Sequence, residues 1–163
     1  MRAQIRTQVA SAVKACEDKK AEEISILEMD KNSSAFTDYF VICSGKNPRQ
    51  IQAIADEVEL RLKRDGAPAN QVEGYNQADW VLLDYVDFVV HIFSESARKF
   101  YDLERLWKSA RKLTVDELRK PAARARKASR DSRSGTKASG PRRSARKPVT
   151  RSGSTSRRHK SSK

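Results

Sequence analysis

The side chains of this sequence that could do chemistry are few, and their spacing fits no catalytic arrangement. Ser44 stands between Cys43 and Gly45 where a strand gives way to a helix, the place of a nucleophile in an acyl-transfer elbow. The flanking glycines of G-x-S-x-G are missing. His91 lies inside the apolar run Phe88–Phe93, where an imidazole reads as a buried, hydrogen-bonded core group. The other histidine, His159, is in the C-terminal tail. Cys43 reads as a small buried hydrophobe. Two cysteines, Cys16 and Cys43, and one histidine in the body have no zinc-ligand spacing. Neither a metal nor any other cofactor is therefore expected. Asp79, Asp84 and Asp87 do cluster, and a nucleotidyl or phosphoryl transferase would hold two metal ions on such acids. However, Asp84 and Asp87 flank a turn at the wrong spacing, and Ser44-Gly45 leads into a helix. These acids read as solvated strand ends. The loop Ser44–Pro48 also lacks the further glycines of a phosphate cradle. A non-enzymatic protein is expected. The alternative is a nucleotidyltransferase-like enzyme or nucleotide binder, marked by a metal-binding pair of acids on one sheet face.

What remains is surface. In Trp80-Val81-Leu82-Leu83-Asp84 alternate side chains share a face, so Trp80, Leu82 and Asp84 stand together, with Asp79 beside them and Glu73 upstream. A large aromatic ringed by acids suits a basic partner, because aromatic anchors carry much of an interface's binding energy. Packing of Trp80 beneath a helix is the other reading, and composition leaves both standing. The net charge of +13 divides unevenly. Residues 1–118 hold 17 Lys/Arg against 20 Asp/Glu, a net of −3, whereas residues 119–163 hold 17 against the single acid Asp131, a net of +16. The tail residues Arg142, Arg143, Arg146, Lys147, Arg157 and Arg158 are candidates for sequence-blind contacts with nucleic-acid phosphates. From Lys120 onward no aromatic residue occurs and Val149 is the only large aliphatic one, so burial cannot offset ordering entropy and disorder is expected. No stretch approaches the roughly 18 apolar residues that span a bilayer, and no membrane partner is expected. The opening MRAQIRTQVASAVKA is free of acids but lacks the Ser and Arg density of a transit segment. With two cysteines and no disulfide framework, a reducing compartment is expected, and the cytoplasm fits best.

These residues need elements to position them. Ile5, Val9, Ala12, Val13 and Cys16 recur at helical spacing and predict a helix over 3–20. A short strand follows at Ile24–Met29, a polar turn at 31–34, and an aromatic, β-branched strand at Tyr39–Cys43. Asn47 is placed to cap a helix that opens on Pro48, buries Ile51, Ile54, Ala55, Val58 and Leu62, and ends at Gly66. Val72–Asn76 reads as loop with one short extended piece. Trp80–Leu83 and Phe88–Phe93 read as antiparallel strands, since the link between them is too short for a crossover. A third main helix is expected from Ser94, with Glu95 favourable against its dipole and Phe100, Leu103 and Trp107 as its core-facing stripe. Leu113, Val115 and Leu118 are expected to extend that helix or to dock weakly. The order α-β-β-α-β-β-α, with a crossover helix, predicts an α/β (α+β) class: a mixed sheet flanked by helices over residues 1–110, followed by a basic, mostly disordered tail over 111–163.

Several long runs resemble a known family. Glu73-Gly-Tyr-Asn-Gln-Ala-Asp-Trp80-Val-Leu-Leu-Asp84, then Asp87-Phe-Val-Val-His91-Ile-Phe, then Arg98-Lys-Phe-Tyr101-Asp-Leu-Glu-Arg-Leu-Trp107 resemble the ribosomal silencing factors, also called Iojap-like proteins. Thr37-Asp38-Tyr-Phe-Val-Ile-Cys-Ser-Gly45, Arg49-Gln50 and Ala53-Ile-Ala-Asp56 match the same family in the same order, so the resemblance covers roughly residues 3–108. It implies a nucleotidyltransferase-like topology without the catalytic acids. It also implies a factor that binds the large ribosomal subunit through large-subunit ribosomal protein fourteen. Binding there blocks joining to the small subunit and represses translation, particularly when nutrients are scarce. Carried over by motif position, Asp79, Trp80 and Asp84 are the foremost partner-binding residues, with Leu82 and Tyr101 behind them. Contacts of the tail with ribosomal RNA and a homodimer off the ribosome complete the expected partners. The tail itself departs from the compact pattern of the family, and the resemblance says nothing about it.

Overall fold

The structure, a computed structural model, describes residues 2–31 and 35–120. Helix α1 (Arg2–Asp18) leads into strand β1 (Glu22–Glu28), which turns back into β2 (Tyr39–Gly45). Helix α2 (Pro48–Arg64) starts where the sequence indicates: the Asn47 side chain accepts from the Gln50 amide at 2.8 Å, and Pro48 fills the first turn, where no N–H is required. Gly66, at φ 81, terminates it in the left-handed region. A short strand β3 (Gln71–Glu73), β4 (Trp80–Asp84) and β5 (Phe88–Ser94) follow, then α3 (Glu95–Tyr101) and the single turn α4 (Leu103–Leu106). Strand β6 (Arg111–Leu113) and helix α5 (Val115–Arg119) close the described chain.

The strands form one sheet in the order β3-β4-β5-β2-β1-β6. All neighbours are antiparallel except β2 and β5, which run parallel because α2 carries the chain across between them. The mixed sheet with flanking helices is the expected class. Strand alternation then divides the side chains into two sets. Val41, Cys43, Val81, Leu83, Val90 and Ile92 point to one face, where α1 and α2 lay down Val9, Val13, Ile51, Ile54, Val58 and Leu62 in a core with almost no exposure. Leu27, Ile42 and Phe93 point to the other, where the cover is thinner: Ala97, Leu103 and Trp107 with the half-buried rings of Phe40 and Trp80.

Two expectations are corrected. The third helix does not run on to Trp107. Ser94 caps it as expected, its hydroxyl accepting from the Ala97 amide at 3.1 Å. The chain then breaks at Asp102, which adopts φ 43, and restarts as the α4 turn. The break rotates the stripe, so Phe100 is 80% exposed while Leu103 and Trp107 still reach the sheet. The body also continues beyond residue 110. Leu113, Val115 and Leu118 neither extend the helix nor dock weakly: β6 pairs with β1 through Ile26–Leu113, Leu27–Lys112 and Glu28–Arg111. Helix α5 carries a capping box in which Thr114 and Glu117 satisfy each other's amides. Arg6, buried on α1, donates to the Leu118 carbonyl at 3.3 Å and to that of Glu117, and so clamps α5 onto α1. Two leucines and a β-edge left unpaired by β1 supply the driving force that a composition reading of this basic segment misses. The tail candidates Arg142, Arg143, Arg146, Lys147, Arg157 and Arg158, and the expected disorder there, lie outside the described residues.

Candidate functional site

The candidate face is built on β4. Gly74, at φ 74, makes the turn before it, and a Cβ at that position would run into the Trp80 carbonyl. Ser94, at the end of β5, fixes the strand entrance: its amide donates to the Asp79 carbonyl at 2.8 Å and its hydroxyl to the Asp79 carboxylate. Register then pairs Trp80 with Phe93, Leu82 with His91 and Asp84 with Val89, all on the thinly covered face. The structure thus brings Asp79, Trp80, Leu82 and Asp84 together, and Tyr101 joins them from α3.

Trp80 is neither a free anchor nor a core residue. Its indole is half-buried, with ring centroids 4.6 Å from Tyr101, 5.1 Å from Phe93 and 5.9 Å from His91. Tyr101 is 46% exposed and forms the outer layer of this stack. The indole N–H donates to His91 Nδ1 at 3.1 Å. His91 is buried, as its strand position predicts, and burial pushes its pKa from 6.5 down to about 4. It is therefore neutral near pH 7. With Nδ1 accepting, the ring proton sits on Nε2, which is buried without a hydrogen-bond partner among the described residues. Leu82 is half-buried. Asp84 is half-buried as well, and its carboxylate has structural work: Oδ1 accepts from the Val86 amide at 2.7 Å and Oδ2 from the Asn70 side chain at 3.3 Å.

A second set of polar residues holds the cover over this face. Arg98 on α3, 9% exposed, donates to Ser44 Oγ at 3.0 Å and to Glu104 at 2.7 Å, and Ser25 Oγ donates to the same carboxylate at 2.8 Å. Burial pushes the Glu104 carboxyl up, but the hydrogen bonds from Arg98 and Ser25 outweigh it and the net shift is downward. Ser44 is thus a hydrogen-bond acceptor for a buried guanidinium, not a poised nucleophile. Cys43 lies in the core with its sulfur 3.9 Å from that of Cys16. The hydrogen bond to Cys43 and burial together raise the Cys16 thiol well above its ordinary range, which keeps it unreactive. Among the described residues no group of three or more His, Cys, Asp or Glu could hold a metal ion, and no helix is long and apolar enough to cross a membrane.

Residue types alone did not reveal two parts of this face. His91 serves Trp80 directly, a link visible in the sequence only once the β4–β5 register is known. Arg98 and Glu104 were legible as neither core nor site, because their partners Ser25 and Ser44 are brought in by β1 and β2.

Comparison with known proteins places the chain as a whole. A family model described as "Ribosomal silencing factor during starvation" matches residues 2–140. The ribosomal silencing factor of Bacillus subtilis (strain 168) is 43% identical over 99 residues, 61% of this chain and 83% of that protein. A mouse protein named "Mitochondrial assembly of ribosomal large subunit protein 1" is 31% identical over 90 residues, 53% of this chain and 39% of its own length. A crystal structure of a protein from Chromobacterium violaceum matches with a TM-score of 0.61 at 34% identity, covering 64% of this chain and 86% of that one.

Proposed function

The chain belongs to the ribosomal silencing factor family, and on that ground we propose that it docks on the large ribosomal subunit at large-subunit ribosomal protein fourteen. There it occupies the surface that the small subunit needs, prevents subunit joining and so represses translation, as when nutrients are limited. The observation that carries this reading is the thinly covered β4 face. Four of its residues, Trp80, Leu82, Asp84 and Tyr101, combine exposed aromatic and apolar area with a carboxylate, and Asp79 adds a second at the rim. Such a surface fits a basic protein partner, with aromatic anchors inside and charges at the edge.

The mechanism needs no turnover. A bound body of this size excludes the small subunit by volume, so repression follows from occupancy alone. Rigidity of the face serves affinity, since a preorganised surface loses less side-chain freedom on docking. The Trp80–His91 hydrogen bond and the Arg98–Glu104 pair provide that rigidity, one from below and one from the side. The basic tail adds phosphate contacts with ribosomal RNA and raises the effective concentration of the tethered body.

The test is co-sedimentation with separated large subunits, small subunits and joined ribosomes, together with light scattering of subunit joining. Binding to free large subunits and a dose-dependent block of joining are expected. Equal binding to small subunits, or unimpeded joining at saturating protein, would refute the proposal.

A further inference from the structure

Beside Trp80, the open part of the sheet forms a groove of about 580 Å³, a size typical of binding sites. Its floor is Phe40, Leu82 and Val89, each half-buried, because register sets all three on the face that α3 and α4 cover only around Ile42 and Phe93. Its rims are Phe36, wholly exposed, and Val86, 62% exposed. The rims are tied together, since the Asp38 amide donates to the Asp87 carbonyl at 2.9 Å.

Two features of this groove bear on what it would hold. Val86 sits at φ 69, a conformation that glycine or asparagine adopts readily and a β-branched residue only under strain. Strain of this kind is enforced by the surrounding structure and clusters at ligand clamps and switch regions. Among the described residues, Asp84 is the one charged residue in the lining, with Asp38 and Asp87 next to the rims, and no Lys or Arg lines the groove.

We infer that this groove seats an apolar side chain projecting from a lysine- or arginine-bearing segment of a large-subunit ribosomal protein. The inference rests on the docking reading above and extends it from the Trp80 strand to the 35–38 loop and the Val86 turn. The apolar floor and the exposed rim side chains of Phe36 and Val86 reward burial of an aliphatic or aromatic side chain. The surrounding acids attract cations flanking it and repel a phosphate chain, which would meet no neutralising cation in the lining.

Phe36→Ser and Val86→Asn, each in the full chain, are to be measured by equilibrium co-sedimentation with isolated large subunits, in salt high enough to screen the tail. Phe36 has no packing to lose and asparagine relieves the Val86 turn, so both variants should melt at or above the wild-type temperature. Both should nevertheless bind about tenfold more weakly. Phe36→Glu and Phe36→Arg remove the same ring with opposite charges, and the arginine variant should bind at least about threefold more weakly than the glutamate variant. The reverse order identifies a phosphate-bearing occupant and overturns the inference. Wild-type affinity in both Phe36→Ser and Val86→Asn, with binding still lost in Trp80→Ala, overturns it while leaving the docking reading intact. A wild-type chain that fails to bind large subunits removes both.

Discussion

Replacing His91 by phenylalanine keeps a ring of similar size in β5 and removes both the acceptor for Trp80 and the titrating group. In the native protein burial holds His91 neutral with a pKa of about 4, against an ordinary value of 6.5 in the unfolded chain. The unfolded chain therefore takes up a proton first as the pH falls, and the native state loses stability between about 6.5 and 4. The full effect of this gap is about 3 kcal/mol, at 1.36 kcal/mol per unit, and roughly 2–3 kcal/mol of it is spent by pH 4.5. Glu104 and Glu117 also lose favourable interactions in acid, because their pKa values are lowered in the fold. That loss is common to both proteins and cancels in the difference. Near neutral pH the variant should be the less stable by about 1 kcal/mol, since the indole N–H of Trp80 is left without its acceptor. Urea unfolding at pH 7.5, 6.5, 5.5 and 4.5 should show this gap close and reverse, the variant becoming the more stable by roughly 1–2 kcal/mol at the acid end. Nitrogen-detected spectra of the imidazole should show the Nε2–H tautomer throughout the neutral range. Parallel loss of stability in the two proteins, or an Nδ1–H tautomer, would show that His91 is not the buried acceptor derived above.

Three further outcomes are expected. Trp80→Ala should weaken large-subunit binding by about 2–4 kcal/mol. Because the indole is half-buried against three rings, it should also lower folding stability, by about 1–3 kcal/mol; Trp80→Phe, which keeps the stacking, should recover most of the stability. Arg98→Met leaves Ser44 without its donor and the Glu104 carboxylate with Ser25 alone, and should cost about 3 kcal/mol in urea unfolding. Glu104→Gln in the same chain should recover part of that, and a purely additive double variant would argue against the pair. A chain ended after residue 110 lacks β6 and α5 and should melt well below one ended after Lys120, which keeps both. The longer truncation should bind large subunits more weakly than the full chain only at low salt, with a flatter salt dependence, and should still block joining when saturating. An unchanged salt slope would deny the tail a role in docking.

Much of this fold was legible locally. Asn47-Pro48 and Gly66 punctuate α2 because capping and left-handed termination depend on one or two residues and their immediate neighbours. The period of Ile51, Ile54, Val58 and Leu62 needed no partner to announce a helix face, and the alternation in Trp80–Asp84 already placed Trp80, Leu82 and Asp84 side by side. Family-like runs from Thr37 to Trp107 carried the functional expectation.

Other features depended on which distant segments meet. Helix α3 stops at Asp102 because Arg98 and Glu104 fold back onto Ser44 and Ser25, partners 54 and 79 residues away in sequence. Residues 111–119 look like the root of a basic tail until β1 offers an open edge and Arg6 takes the carbonyls of α5. The two readings of Trp80 could not be separated by composition, because its burial is set by Tyr101 and His91 rather than by its own neighbours. Periodicity and capping act over one or two turns of chain and are written in the sequence. The pairing of a buried charge, the closing of a sheet edge and the exposure of a half-covered ring are decided by contacts across the fold, and only the tertiary structure determines them.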